Sequence, residues 1–583
     1  MRRSFWMPST SRPALYRRGV FLTLSALNLL SCEPAVEAAD LVLTGGKVVT
    51  VDEAHPEAEA IAVRGDRIVA VGSSAEIDAY VGASTTVIDL EGRLATPGLI
   101  EGHGHFLGLG QAKMILDLTT ATTWQDIVDM VAEAAEEALP GEWITGRGWH
   151  QEKWSVVPTP SVDGVPVHTS LSAVSPNNPV NLTHASGHAS FANSKAMEVS
   201  GITRSTPDPE GGTIVKDARG NPSGLLRETA QRIVGAAISL SQEGLSEAER
   251  ESIFRRQVEL AGEEALSKGI TNFHDAGTSF ADIDRLKVMA EESRLPIRLY
   301  VMVRRESNEV MAEKLPQYRM IGVGNNFLTV RSIKRQIDGA LGSHGAWLLE
   351  PYLDLPSSVG LTLESPDDIR RTAEIAIEHG FQVNTHAIGD MANREVLDIY
   401  QETFEAAGNP VNLRWRIEHA QHLDPNDLKR FVQLGVIAAV QGVHATSDGP
   451  WIPRRLGDER TESGAYLWRS MINMGITVMN GTDVPVEDIN PIANFYSSVS
   501  RMMNTGERFY PAQGMTRDEA LRSYTINAAF GAFQEEDLGS ITVGKLADIV
   551  ILSDDIMTIP EDQIPLTRVD VTIVGGEVRF RRN

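Results

Sequence analysis

A chain of 583 residues has room for more than one hydrophobic core, and with 42% hydrophobic and 22% charged residues it has the composition of a folded globular protein. Its 53 Lys and Arg against 78 Asp and Glu leave a formal charge of −25, which argues against nucleic acid or an anionic membrane surface as a partner. The single cysteine excludes an intrachain disulfide and a thiolate metal cluster, so any metal must be held by nitrogen and oxygen.

Arg2, Arg3, Arg17 and Arg18 precede an apolar run of 12 residues, 19–30, too short to span a bilayer and laid out like an export signal. Tyr16-Arg17-Arg18-Gly19-Val20-Phe21 resembles a twin-arginine motif. Leu29-Leu30-Ser31-Cys32 resembles the lipobox of bacterial lipoproteins, with Cys32 as the acylated residue. The alternative is cleavage near residues 36–39, which discards Cys32. Residues 1–39 are therefore expected to be an export segment, and the protein to be periplasmic or lipid-anchored to the cell envelope.

From Asp40, short alternating strands follow at 41–43, 47–51, 60–63 and 67–71, punctuated by Gly45-Gly46, Gly65-Asp66 and Gly92. The same style returns at 547–552, 571–574 and 577–580. Neither group has enough strands for its own two-layer core. Residues 40–96 and 539–583 are expected to pair into one small β-sandwich.

Residues 97–538 alternate apolar runs with amphipathic stretches, the pattern of repeated βα units. Eight candidate strands, 99–105, 270–274, 298–303, 331–337, 382–386, 414–419, 436–441 and 476–483, are the number that closes a TIM barrel. Helices at 365–378 and 424–433 have Ser365 and Asp424 as caps. About 165 residues separate the first two strands, so residues 108–250 are read as an insertion over the barrel mouth. It carries Trp143, Trp149, Trp154, His184 and His188.

In Pro97-Gly98-Leu99-Ile100-Glu101-Gly102-His103-Gly104-His105 the two histidines are two residues apart, and on a strand both would project to one face. Lys334 lies in the fourth strand, His386 and His419 end the fifth and sixth, and Asp483 ends the eighth. All sit at or near the end where barrel active sites form. This set resembles the amidohydrolase superfamily. Within it, segments such as Gly187-His188, Asp338-Gly339-Ala340-Leu341-Gly342-Ser343 and the 149–154 and 385–390 stretches are similar to enzymes of the YtcJ and N-substituted formamide deformylase type.

The resemblance implies a metal-dependent amidohydrolase that cleaves a non-peptide C–N bond of a small molecule, an amide or N-formyl amide, through a metal-activated hydroxide. It implies two divalent ions, zinc above all, bridged by carboxylated Lys334, with His103, His105 and Asp483 on the buried ion and His386 and His419 on the exposed one. Asp483 would be the catalytic proton carrier. A one-metal site of His103, His105, His386 and Asp483, with His419 outside it, is the alternative. Glu101 and Glu418 are candidates for orienting the imidazoles, and His274 for a structural role at the barrel rim. His188, Trp149 and Trp154 are candidate substrate contacts. A deaminase or cyclic-amide hydrolase on the same site, or a lipid-anchored non-catalytic binding protein, are the competing functions. The partners expected are a small-molecule amide and, through an N-terminal lipid, a membrane; a homodimer is compatible with the sequence.

Overall fold

The computed structural model describes residues 36–582. The expected export segment up to residue 35, with Cys32, lies outside the described residues.

Eight parallel strands follow one another around a sheet in chain order: β1 (Leu99–Gly104), β2 (Ile270–Thr278), β3 (Arg298–Val303), β4 (Leu328–Gln336), β5 (Gln382–Ala387), β6 (Arg416–His419), β7 (Ile437–Val440) and β8 (Val478–Asn480). This is the expected (β/α)8 barrel. Every residue of β1, β3 and β5 is buried, as strands covered on both faces require, and this is why they read as apolar runs. The barrel closes where β8 returns to β1. The amide of Asp483 donates to the carbonyl of His103 at 2.7 Å. A Cβ on Gly102 would come within 2.4 Å of the Asn480 carbonyl oxygen, so only glycine allows the approach.

Two predicted strands end differently. β6 begins at Arg416 rather than 414, because Arg414 sits at φ +50, outside the strand region. β8 ends at Asn480, so Asp483 lies beyond its strand, at φ +59. The expected helix caps hold: Ser365 Oγ accepts from the Asp368 amide at 3.1 Å, and Asp424 caps a short 3-10 turn that leads into a helix at Leu428–Leu434.

Strands from both chain ends meet in one six-stranded sheet, in the order 577–581, 569–574, 549–552, 94–97, 47–49, 57–58. A four-stranded sheet of 67–72, 60–64, 41–44 and 86–89 shares its core, with Leu43, Ile61 and Val63 packed against Ile549, Ile551 and Ile573. Between β1 and β2 the chain forms another six-stranded sheet, spanning 116–228, with a helix (Trp124–Glu137) and a core of Trp124, Trp149 and Phe191. The helices Phe106–Ala112 and Glu247–Ser267 that flank this excursion pack on each other: a Cβ on Gly110 would meet the Gln257 carbonyl oxygen at 2.0 Å.

Arg298, at the start of β3, ties the barrel to the sheet of the chain ends. Its Nε and Nη2 donate to the two oxygens of Asp548 at 2.9 and 3.0 Å, with both side chains buried. Removing one member leaves a buried charge uncompensated. Asp548→Ala is expected to destabilise the fold by about 3–5 kcal/mol, read as an earlier urea unfolding transition. An unchanged transition would show that this pair does not hold the two parts together.

Candidate metal centre

The strand ends bring all six predicted ligands into one linked cluster. His103 Nε2 lies 3.5 Å and His105 Nε2 3.3 Å from Asp483 Oδ1, so the histidine pair does address one point. Lys334 Nζ is 3.4 Å from His103 Nε2. The His419 ring is centred 4.8 Å from that of His103. His386, the sixth, is reached through His419, with ring centres 4.4 Å apart. Ligand-type atoms of His103, His419 and Asp483 lie within 4.8 Å of one another. His419 thus sits with the group expected around the buried ion, rather than only with His386.

Two of the imidazoles are aimed by a partner on the far nitrogen. Glu418, one residue before His419, takes the Nδ1 of His103 in a short hydrogen bond. Gln441 Oε1, just past β7, accepts from His419 Nδ1 at 2.7 Å. Each bond leaves Nε2 facing the cluster. Glu101 has a different task from the one expected. Its carboxylate takes the Thr482 amide at 2.6 Å and Thr482 hydroxyl at 3.1 Å, and so shapes the turn that carries Asp483. Asp483 and His419 both hold positive φ, +59 and +76, strain of about 1–3 kcal/mol each that aims their side chains inward.

Burial dominates the electrostatics. It lowers His386 and His419 well below the usual imidazole range, with neighbouring positive groups adding to the effect, and takes His105 down to about 4. Burial would raise Asp483, but the imidazoles of His103 and His105 hold it well below the carboxylate range. Glu418 follows the same pattern: burial opposes its charge, while His103 and Arg416 favour it. The imidazoles of His105, His386 and His419 are thus held neutral beside ionised Asp483, the protonation state in which both groups bind metal. Lys334, 2% exposed, is lowered to about 8 by burial and then by Arg304. No carboxylate among the described residues pairs with it. Gln336, on the same strand face, is drawn aside by Arg304, which donates to its Oε1 at 2.6 Å.

The residues fit a divalent metal. Nε2 of His386 and Oδ1 of Asp483 are buried and make no hydrogen bond, an unfavourable state that a bound cation relieves. The donor set, nitrogen and oxygen only, suits zinc.

A cavity of about 800 Å³ opens on the cluster, lined by His386, His419 and Asp483 on the barrel side and by Trp149, His184 and His188 from the insertion. His188 is fixed through Nδ1 by Glu228 Oε2 at 2.8 Å, and Glu228 by the Ser343 hydroxyl at 2.8 Å. Trp154 lies elsewhere: it stacks on Trp149 at 5.9 Å and tilts against Trp124 at 5.8 Å, in the insertion's own core, and is not among the cavity-lining residues. His274 is buried against Arg416, deep in the barrel. Sequence reasoning passed over Asp338 as a site residue. Its carboxylate accepts three backbone amides, of Ile388 (3.0 Å), Gly389 (2.8 Å) and Trp347 (2.9 Å), stands 3.4 Å from His386 Nε2, and is raised by burial to about 7. Its motif was visible; its direction was not.

Residues 86–580 match the amidohydrolase family. A putative amidohydrolase, YtcJ of Bacillus subtilis, is 30% identical over 92% of this chain and 99% of its own. The N-substituted formamide deformylase of Arthrobacter pascens is 27% identical over 93% of this chain and 98% of its own. A metal-dependent hydrolase of Pyrococcus horikoshii shares the fold, with a TM-score of 0.70 and 24% identity over 90% of this chain and 99% of that one. Eight barrel strands, a buried nitrogen and oxygen donor set and a match over most of its length agree: the chain belongs to the amidohydrolase family and is a hydrolase of carbon–nitrogen bonds other than peptide bonds.

Proposed function

We propose that the protein hydrolyses an amide or N-formyl amide of a small molecule. The observation that carries this reading is the buried pair of orphaned atoms, His386 Nε2 and Asp483 Oδ1, at the floor of a cavity of about 800 Å³. That volume is in the range of small-molecule sites. The full-length similarity to an N-substituted formamide deformylase supports the choice of bond.

In this reading His103, His105 and Asp483 would hold one divalent ion and His386 and His419 another. Lys334 would add oxygen ligands once CO₂ has added to its Nζ as a carbamate, with the displaced proton released. A buried ammonium with no carboxylate partner is unfavourable, and an amine lowered to about 8 is partly neutral and able to take up CO₂. When bound, the metal supplies an acidified water and polarises the carbonyl oxygen. Asp483, held ionised between imidazoles, takes the proton of the attacking water and returns it to the leaving nitrogen. Glu418 and Gln441 keep the His103 and His419 rings aligned. His188, locked by Glu228, stands on the cavity wall where substrate enters.

Three outcomes test this. Asp483→Asn is expected to lower kcat by about 10²- to 10⁴-fold on any N-formyl amine or aryl amide the zinc-loaded enzyme turns over; full activity in that variant would sink the proton role. Incubation with ¹³C-bicarbonate should give a protein carbamate signal by NMR that disappears in Lys334→Arg; a signal surviving the substitution would place the carbamate elsewhere. Glu418→Gln should weaken metal affinity by about 10- to 100-fold, measured by competition with a chelator, and unchanged affinity would remove Glu418 from the alignment role.

A further inference from the structure

One wall of the cavity is formed by the short helix α1 (Gly442–Asp448), where His444 and Asp448, four residues apart, leave on the same face. Asp448 receives the Tyr466 hydroxyl at 3.0 Å and the Gln421 amide at 3.4 Å, and both donate to the same oxygen, Oδ2. Its other oxygen, Oδ1, has no donor among the described residues. Glu487, in the loop after β8, lines the same cavity and has no ion pair or hydrogen bond through its side chain among the described residues. It is close enough to Asp448 for the two carboxylates to repel. His444 is 7% exposed, lines the cavity, and its Nε2 has no hydrogen-bond partner.

Two basic side chains of the cavity are committed elsewhere: Arg227 pairs with Asp163 at 3.2 Å and Arg455 pairs with Asp354. Lys153 is exposed at the cavity edge. Trp451, which also lines the cavity, offers an aromatic face that already takes one guanidinium, that of Arg455, 5.8 Å from its ring centre.

We infer that Asp448, Glu487 and His444 form a subsite for a cation, and that the amides this enzyme hydrolyses carry an ammonium group away from the scissile bond. This deepens the hydrolase reading above and rests on it. The chemistry matches: a primary ammonium has three donors and no acceptor, and the wall presents two carboxylate acceptors, Asp448 Oδ1 and a Glu487 oxygen, beside the unpartnered His444 Nε2. Two like charges on a partly buried wall repel, and an arriving cation turns that repulsion into attraction. Burial, with the Glu487 carboxylate adding to it, has raised Asp448 to about 6, against the opposing pull of His444 and the Tyr466 and Gln421 hydrogen bonds.

The test compares three chain-matched formamides on the zinc-loaded enzyme: N-formyl-1,4-diaminobutane (cationic), N-formylpentylamine (neutral) and 5-formamidopentanoate (anionic). The cation is expected to have a kcat/KM at least about tenfold above the neutral compound, mostly through KM, with the anion poorest. That preference should collapse in Asp448→Asn and in Glu487→Gln, the second serving if the first does not fold, as judged by thermal melting. Binding is read separately by calorimetry, with the pentylammonium ion against its neutral counterpart pentan-1-ol. Tighter binding of pentylammonium that is lost in either variant supports the subsite even if no formamide is turned over, in which case it is the hydrolase reading that fails. Turnover without charge preference, equal binding of pentylammonium and the alcohol, or a preference that survives in folded variants of both carboxylates would overturn the subsite.

Discussion

Where the last barrel strand returns to the first, the Asp483 amide donates to the His103 carbonyl at 2.7 Å, and Gly102 and Gly481 remove the side chains that would hold the backbones apart. A Cβ at Gly481 would lie 2.4 Å from the His103 amide nitrogen and 2.6 Å from Glu101 Oε1. This seam brings Asp483 to a histidine pair almost four hundred residues earlier, and no local segment could do so. Closure and chemistry are therefore one constraint. A barrel that failed to close would also separate the carboxylate from the imidazoles, because the same hydrogen bond serves both.

The seam also sets the charge of the site. Once the strand ends converge, Lys334, Glu418, Asp483 and four imidazoles share a space from which water is largely excluded, where charges interact strongly and unpaired ones are costly. The chain meets that cost through paired assignments. Glu418 takes His103 on one side and stands 3.9 Å from Arg416 on the other. Arg304 is occupied by Gln336. Lys334 is the exception: no carboxylate among the described residues pairs with it, although it is 2% exposed. Backbone strain at His419 and Asp483 points the same way: positive φ at two non-glycine residues persists only where the surrounding structure over-determines it.

What could be read from the sequence follows from this physics. Strands buried on both faces appear as apolar runs, so all eight were visible, and ligands at the ends of such runs could be placed without coordinates. Their ends were less legible. Arg414 leaves the strand at φ +50 and Asp483 lies past its own, and a strained residue has no signature in composition or periodicity. The contacts that aim the site were harder still. Glu228 reaches His188 across 40 residues, Gln441 reaches His419 across 22, and Asp338 turns its carboxylate to three loop amides. Each depends on loops set by the fold as a whole. Trp154 shows the converse error: a tryptophan near an active-site motif attracts a binding role, whereas its ring fills the insertion core between Trp124 and Trp149.

The floor and the walls of the cavity come from different parts of the fold. The floor of the cavity comes from strand ends, where a shift of one residue turns a ligand to the wrong face. Its walls come from the 116–228 excursion, from the loop after β4 that carries Ser343 and Asp354, and from the segments after β7 and β8 that carry His444, Asp448 and Glu487. Wall residues can change without moving the floor, provided the few that reach down to it are kept. Arg147 is one of these, donating from the insertion to the Pro485 carbonyl two residues past Asp483 at 3.1 Å. The insertion is thus fastened to the turn that carries Asp483, so the cavity wall it contributes and the carboxylate at the cavity floor are held in one frame.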